Sequence, residues 1–302
     1  MNALSRGKYS EASGYSKILI LLGLFVLGFA ITGTIITSVP ALMEFNRESL
    51  SITAVLQDIF TFIFPALAAA WLFSARPAEY LATRNKSCAT GYLLVLLLYI
   101  VMIPGINQIV WWNEHISLPA SMKGIEDIFR QLESDALRTT DMMLSARSAG
   151  GFGIELLIIG ILAPVSEELF FRGALQRTLA SCTRLSATAA IWISAIVFSA
   201  IHFQFYGFFA RMLLGAFYGY LLVYSGSLWL PIMAHALNNS VVVILKYISV
   251  VAPEHAISQD PGVVTDGFPF PALVSVLLFG IIMYAAKKKS LFRPKGQAKE
   301  NV

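Results

Sequence analysis

The stretch ILILLGLFVLGFAITGTIITSV, residues 18–39, contains no charged side chain. A helix needs about 20 consecutive apolar residues to cross a bilayer, because the hydrocarbon core is about 30 Å thick and each residue rises about 1.5 Å. The stretch is also longer than the roughly 7–15 apolar residues of a cleavable signal peptide. It therefore predicts a membrane-spanning helix that stays attached to the protein.

The rest of the chain repeats this pattern. Of the 302 residues, 57% are hydrophobic and only 13% are charged, whereas soluble domains average about 25% charged residues. Because irregular backbone is not stable in lipid, we predict an all-α, polytopic transmembrane bundle of about eight helices. Neither a repeat nor a linker divides it, so residues 1–302 are predicted to form a single integral membrane domain. The further spans are predicted at about 51–74, 88–110, 152–172, 186–206, 208–226, 228–249 and 270–286.

Basic residues concentrate at the chain termini and in alternate loops. By the positive-inside rule these segments face the cytoplasm, so both termini and a basic tail at 287–302 are predicted to be cytoplasmic. The net charge of +4 does not indicate a nucleic-acid partner, because the basic residues lie at helix ends. They are Arg6, Lys8, Lys17, Arg76, Arg84, Lys86, Arg177, Arg184, Lys287, Lys288, Lys289, Arg293, Lys295 and Lys299.

The longest predicted loop covers residues 111–151. Within it, Ile125, Ile128, Leu132 and Leu137 recur at near-helical spacing among charged residues. That spacing predicts an amphipathic helix that lies on the membrane or caps the bundle.

A pair of carboxylates interrupts the fourth span, in ILAPVSEELFFR, residues 161–172. A charge inside a membrane helix costs about 2.5–3.5 kcal/mol even on lenient scales. Arg172 lies four residues after Glu168 and is predicted to pair with it, whereas Glu167 has Phe171 at that offset. A carboxylate without a local partner suits a general base. Alternatively, the two glutamates mark the cytoplasmic end of the helix.

Two further spans carry polar side chains. Phe198 and His202 are one turn apart near the end of the fifth span, and His235 and Asn239 are one turn apart in the seventh. Polar residues on one face of a membrane helix face the bundle interior or a wet cavity. The alternative is a structural role, as an interfacial histidine or as interhelical hydrogen bonds.

Together the motifs Glu-Glu-x-x-x-Arg, Phe-x-x-x-His and His-x-x-x-Asn resemble the motif set of the CPBP (Abi) family. That family contains type II CAAX prenyl endopeptidases and bacteriocin-processing or self-immunity proteins. The resemblance covers roughly residues 150–250, where the catalytic helices are expected. It implies an eight-helix fold with a catalytic cavity open to water within the bilayer.

The resemblance also implies a glutamate-dependent endopeptidase that cuts a hydrophobic or lipidated peptide substrate, with membrane lipid around it. Glu167 would activate water with help from His202, and Glu168 with Arg172 would orient Glu167. His235 and Asn239 would donate hydrogen bonds to the oxyanion. Counted from the helix ends, however, Glu167, His202 and His235 lie at depths that differ by about 10 Å.

Other readings remain open. The site is expected to need no cofactor, although zinc held by Glu167, His202 and His235 is an alternative; no two of these residues have the spacing of His-Glu-x-x-His. A non-catalytic self-immunity or binding protein would keep the cavity without hydrolysis. A proton-coupled transporter would use the same polar residues as a relay, but the chain has no inverted repeat.

Overall fold

The computed structural model describes residues 6–181, 185–256 and 261–294. Arg184, Lys295 and Lys299 of the predicted basic segments lie outside these ranges. Every regular element within them is helical. The long helices are α1 (Gly14–Ser38), α2 (Arg47–Phe73), α3 (Ala89–Glu114), α4 (Lys123–Met143), α5 (Ala149–Ser181), α6 (Ala187–Ala200), α7 (Phe208–Ser225), α8 (Trp229–Val251) and α9 (Phe270–Lys288). Single turns lie at Pro40–Met43, Pro77–Tyr80, Ala120–Met122, Phe205–Gly207 and Pro253–His255.

Seven helices in the described part of the chain are long and apolar enough to cross a membrane, and α6 is a shorter apolar helix of 14 residues. The predicted polytopic bundle is therefore confirmed, with two differences in length. The fourth span, predicted to end at 172, continues to Ser181. The fifth span, predicted to reach 206, ends at Ala200, because Phe203 has a φ of 54°. That left-handed conformation cannot continue a right-handed helix.

The loops gather at two ends of the bundle. At the first end, Gly7 N donates to Trp71 O at 2.8 Å, and Arg293 Nε donates to Tyr224 O at 2.9 Å. At the second end, Asn113 Nδ2 donates to Phe205 O at 3.0 Å. The N-terminal arm and the segment after α9 thus lie at the same end, as an even number of passes requires.

Helix α4 is the predicted amphipathic helix, and none of its residues is buried. It lies across the second end of the bundle. The Phe129 ring stacks on Phe205 with centroids 4.8 Å apart, and the Arg130 guanidinium lies 3.7 Å from the centre of the Tyr206 ring. At the other end of the helix, Lys246 Nζ of α8 pairs with Asp141 Oδ1 at 2.7 Å.

Two spanning helices contain wide π-helical turns, at Asp58–Ile63 in α2 and at Leu156–Leu162 and Leu169–Gln176 in α5. The first two end just before Phe64-Pro65 and Ala163-Pro164. Proline lacks an N–H and its ring clashes with the carbonyl four residues earlier. A wider turn relieves that clash and re-aims the side chains that follow. Glu167 and Glu168 lie between the two wide turns of α5.

The buried apolar residues form two main clusters. The first joins α1, α2, α5 and α6 through Leu21, Phe62, Phe170, Phe171 and Phe198. The second joins α3, α7, α8 and α9 through Leu98, Phe217, Leu221, Leu230 and Ala286. The polar residues of the fourth, fifth and seventh predicted spans lie where these clusters meet, since Phe198 and Tyr218 contact His235 from either side.

Candidate functional site

Glu168 and Arg172 of α5 form a completely buried ion pair. Arg172 Nη1 donates to Glu168 Oε1 at 2.7 Å, and both side chains are 0% exposed. Arg172 Nη2 donates to Gly215 O of α7 at 2.9 Å. The guanidinium also lies 4.4 Å from the Phe198 ring centre, and an arginine over an aromatic face is attracted electrostatically. The pairing predicted from the four-residue spacing is confirmed, and it connects α5, α6 and α7.

His235 of α8 lies between the two glutamates. Its Nδ1 is 2.9 Å from Glu168 Oε1, and its Nε2 is 3.8 Å from Glu167 Oε2. Because a carboxylate only accepts hydrogen bonds, we assign the Nδ1 proton to a bond donated to Glu168. Nε2 is then the ring atom that faces Glu167. The Tyr218 ring stacks on the imidazole with centroids 4.9 Å apart and holds its plane.

Glu167 is the less constrained of the two carboxylates. Its side chain is 15% exposed, while that of Glu168 is inaccessible. Glu168 therefore belongs to the packed interior, and Glu167 is the carboxylate that a small molecule can reach.

His202 lies in the turn just after α6. Its Nδ1 is 2.8 Å from Phe198 O, and a carbonyl oxygen only accepts, so we assign the proton of the neutral ring to Nδ1. Nε2 then carries the lone pair. The Phe198 ring is 5.3 Å from the His202 ring and 5.7 Å from the His235 ring, centroid to centroid. The two histidines thus contact the same phenylalanine.

Asn239 is one turn after His235 on α8. Its Nδ2 donates to Ile159 O of α5 at 3.1 Å, and its Oδ1 accepts from Asn238 Nδ2 at 3.3 Å. One of its two amide hydrogens is therefore committed to α5. The second hydrogen of the amide is the one with which Asn239 can act as a donor in the cavity.

Several residues of this region were not selected from the sequence. Through its Oδ1, Asp58 of α2 accepts at 2.5 Å from Oγ of Ser166, which is next to Glu167 in the sequence. Tyr218 stacks on His235, and Arg211 of α7 donates from Nη2 to Gln204 Oε1 at 2.8 Å, two residues after His202. Asp58 and Arg211 carried a sequence signal, as charges within apolar spans. Tyr218 carried none.

The arrangement brings one accessible carboxylate and two imidazoles together between α5, α6 and α8, with the amide of Asn239 one turn further along α8. These groups can accept a proton from water and donate hydrogen bonds to a developing negative charge. Across residues 6–181, 185–256 and 261–294, no three His, Cys, Asp or Glu side chains form a group suited to a metal ion.

The comparison with protein families agrees with the motifs. Residues 150–241 match the model of the family described as Type II CAAX prenyl endopeptidase Rce1-like. The predicted family resemblance is thereby confirmed for a segment that contains Glu167, Glu168, His202, His235 and Asn239. The match and the apolar helices support an integral membrane protease of the CAAX type. No curated protein matches the chain, and no solved structure does.

Proposed function

We propose that this chain, with its Rce1-like segment, is an endopeptidase that hydrolyses peptide bonds of a membrane-associated or lipidated peptide by a glutamate-activated water. The observation that carries the proposal is the placement of His235 between an accessible Glu167 and an inaccessible Glu168. Ionisable side chains inside an apolar bundle cost free energy, and their presence there therefore indicates a function.

In this mechanism Glu167 takes a proton from a water molecule, with His202 Nε2 as a second acceptor that orients the water. The oxygen of that water attacks the scissile carbonyl carbon, and the carbonyl oxygen becomes an oxyanion. His235, protonated on Nε2, and the free amide hydrogen of Asn239 donate to that oxyanion. Glu167 then passes its proton to the leaving amine, so that protons balance and the carboxylate is regenerated.

Glu168 and Arg172 act on this chemistry through His235. The carboxylate of Glu168 accepts from Arg172 and from His235 Nδ1, which fixes the orientation of the imidazole ring. A donor that is already aimed before the reaction needs no reorganisation during it. Removal of one oxyanion donor typically costs about 2.7–4 kcal/mol in the transition state.

We further propose that the first end of the bundle faces the cytoplasm, because the basic segments gather there. The N-terminal arm and the segment after α9 lie at that end. Helix α4 and the turn that carries His202 then lie on the opposite side. A substrate would reach Glu167 from within the membrane or from beneath α4.

Hydrolysis of a quenched fluorogenic peptide library by the purified full-length chain in detergent tests this function. We expect cleavage that continues at an unchanged rate after treatment with a zinc chelator, because the proposed chemistry uses only side chains. Cleavage that stops with the chelator and returns with added zinc would instead establish the zinc alternative. No cleavage of any peptide, by a chain shown to be folded, would favour the binding or self-immunity protein.

A further inference from the structure

A basic groove opens at the first end of the bundle, between α6, α7 and α9. It is a cavity of about 710 Å³. Its mouth carries Lys287 and Lys288, both exposed, and its walls include Tyr224 and Tyr284. Lys287 Nζ lies 5.2 Å from the Tyr224 ring centre. Two lysines and two tyrosines at the ends of membrane-spanning helices are typical of the zone where lipid headgroups lie.

A second cavity of about 320 Å³ continues this groove toward the middle of the bundle. Tyr220 lines both cavities, and the deeper one has an almost entirely apolar lining. Its walls include Met102, Trp192, Phe217, Phe279 and Met283. The two adjoining cavities are together called the groove, with a cationic mouth and an apolar floor.

The length of the groove fits one leaflet of a membrane. Along α9 it runs from Lys287 to Ser275, which at about 1.5 Å per residue corresponds to roughly 18 Å. Half of the hydrocarbon core of a bilayer is about 15 Å thick. A headgroup at the mouth therefore places its acyl chain against the floor.

The groove is separate from the candidate active site. On α7, Gly215 and Tyr218 face Arg172 and His235, whereas Phe217, Tyr220 and Tyr224 face the groove. The two sets occupy different faces of one helix. The helix itself thus separates an occupant of the groove from Glu167.

We propose that this groove binds an anionic phospholipid, with the phosphate at Lys287 and Lys288 and one acyl chain along the apolar floor. Charge complementarity at the mouth selects an anionic headgroup over a zwitterionic one. The one-leaflet length of the floor suits an acyl chain. The proposal is independent of the peptidase function.

Native mass spectrometry of the full-length chain, released from nanodiscs that contain equal amounts of phosphatidylglycerol and phosphatidylcholine, tests the site. We expect the wild-type chain to retain phosphatidylglycerol in preference to phosphatidylcholine. The double variant Lys287→Gln/Lys288→Gln should bind phosphatidylglycerol about 30-fold more weakly, since each lysine contributes about fivefold to the affinity for an anionic lipid. The variant Val276→Trp, which fills the apolar floor and keeps every charge, should also lose the lipid.

The matched control is Lys8→Gln/Lys17→Gln, which removes two charges from the same end of the bundle but outside the groove. It should retain phosphatidylglycerol like the wild type. Equal loss in the control variant would mean that surface charge alone attracts the lipid, and the proposal would be wrong. Retention by the Lys287→Gln/Lys288→Gln variant, or equal retention of both lipids by the wild type, would also overturn it.

Discussion

Replacement of Glu167 by glutamine is expected to reduce kcat by about 10²–10⁴-fold, because general-base assistance is typically worth that much. Glutamine keeps the size of the side chain but cannot accept a proton. Its effect on folding should be small, since Glu167 is partly accessible and its closest ionic contact, with His235, is 3.8 Å. Peptide hydrolysis and thermal unfolding of the purified variant, measured side by side, check both expectations.

Glu155 on the same helix provides the matched control. Its carboxylate is buried, and it accepts from Ala146 N at 2.8 Å and from Arg47 Nη1 at 3.4 Å, far along α5 from His235. We expect Glu155→Gln to lower the unfolding temperature and to leave kcat of the folded fraction near the wild-type value. If Glu167→Gln kept full activity, or lost activity only in proportion to its stability, Glu167 would not be the base.

Replacement of Arg172 by methionine is expected to destabilise the protein by about 3–5 kcal/mol, the usual cost of removing one partner of a buried ion pair. In this variant the carboxylate of Glu168 stays buried but loses its guanidinium partner. Gly215 O also loses the donor that Arg172 supplies. Unfolding of the variant by denaturant in detergent measures the loss. The same change should also disturb the orientation of His235, which Glu168 holds.

The exposed pair of Arg76 and Glu79 is the control for this prediction. Arg76 is 76% exposed and lies 3.3 Å from Glu79, and such solvent-screened surface pairs contribute little to stability. The double variant Glu168→Gln/Arg172→Met should recover part of the stability lost in Arg172→Met, because the buried carboxylate that lost its guanidinium partner is gone. A loss in Arg172→Met no larger than that in Arg76→Met would contradict the role of the buried pair.

Much of the fold follows from composition, because an apolar stretch of about 20 residues crosses a bilayer as an α-helix. The bounds of the helices follow less well. The wide turns before Pro65 and Pro164 have no sequence signal beyond the prolines themselves, and the end of α6 depends on the conformation of Phe203. The residues from Ile201 to Tyr206 are mostly apolar, so the sequence predicts a longer helix than the one that ends at Ala200.

The site was predictable where local spacing determines geometry. The pairing of Glu168 with Arg172 needs only the four-residue offset. The bridge from His235 to both glutamates depends on how α8 packs against α5. Counting residues from helix ends gives Glu167, His202 and His235 depths that differ by about 10 Å, whereas the His202 and His235 rings contact the same phenylalanine. Such counts assume straight, uniform helices, whereas α5 is 33 residues long and contains two π-helical segments. The stacking of Tyr218 on His235 is likewise a result of packing alone.

The central claim is that Glu167 and His235 act as one unit on one water molecule and one carbonyl group. A double-mutant cycle on kcat/KM, with Glu167→Gln, His235→Gln and the combined variant, measures it most directly. Groups that act as a unit are strongly non-additive, so the combined variant should be about as slow as the slower single variant. If the two losses multiplied, or if either single variant retained wild-type kcat/KM, the account of this site would be wrong.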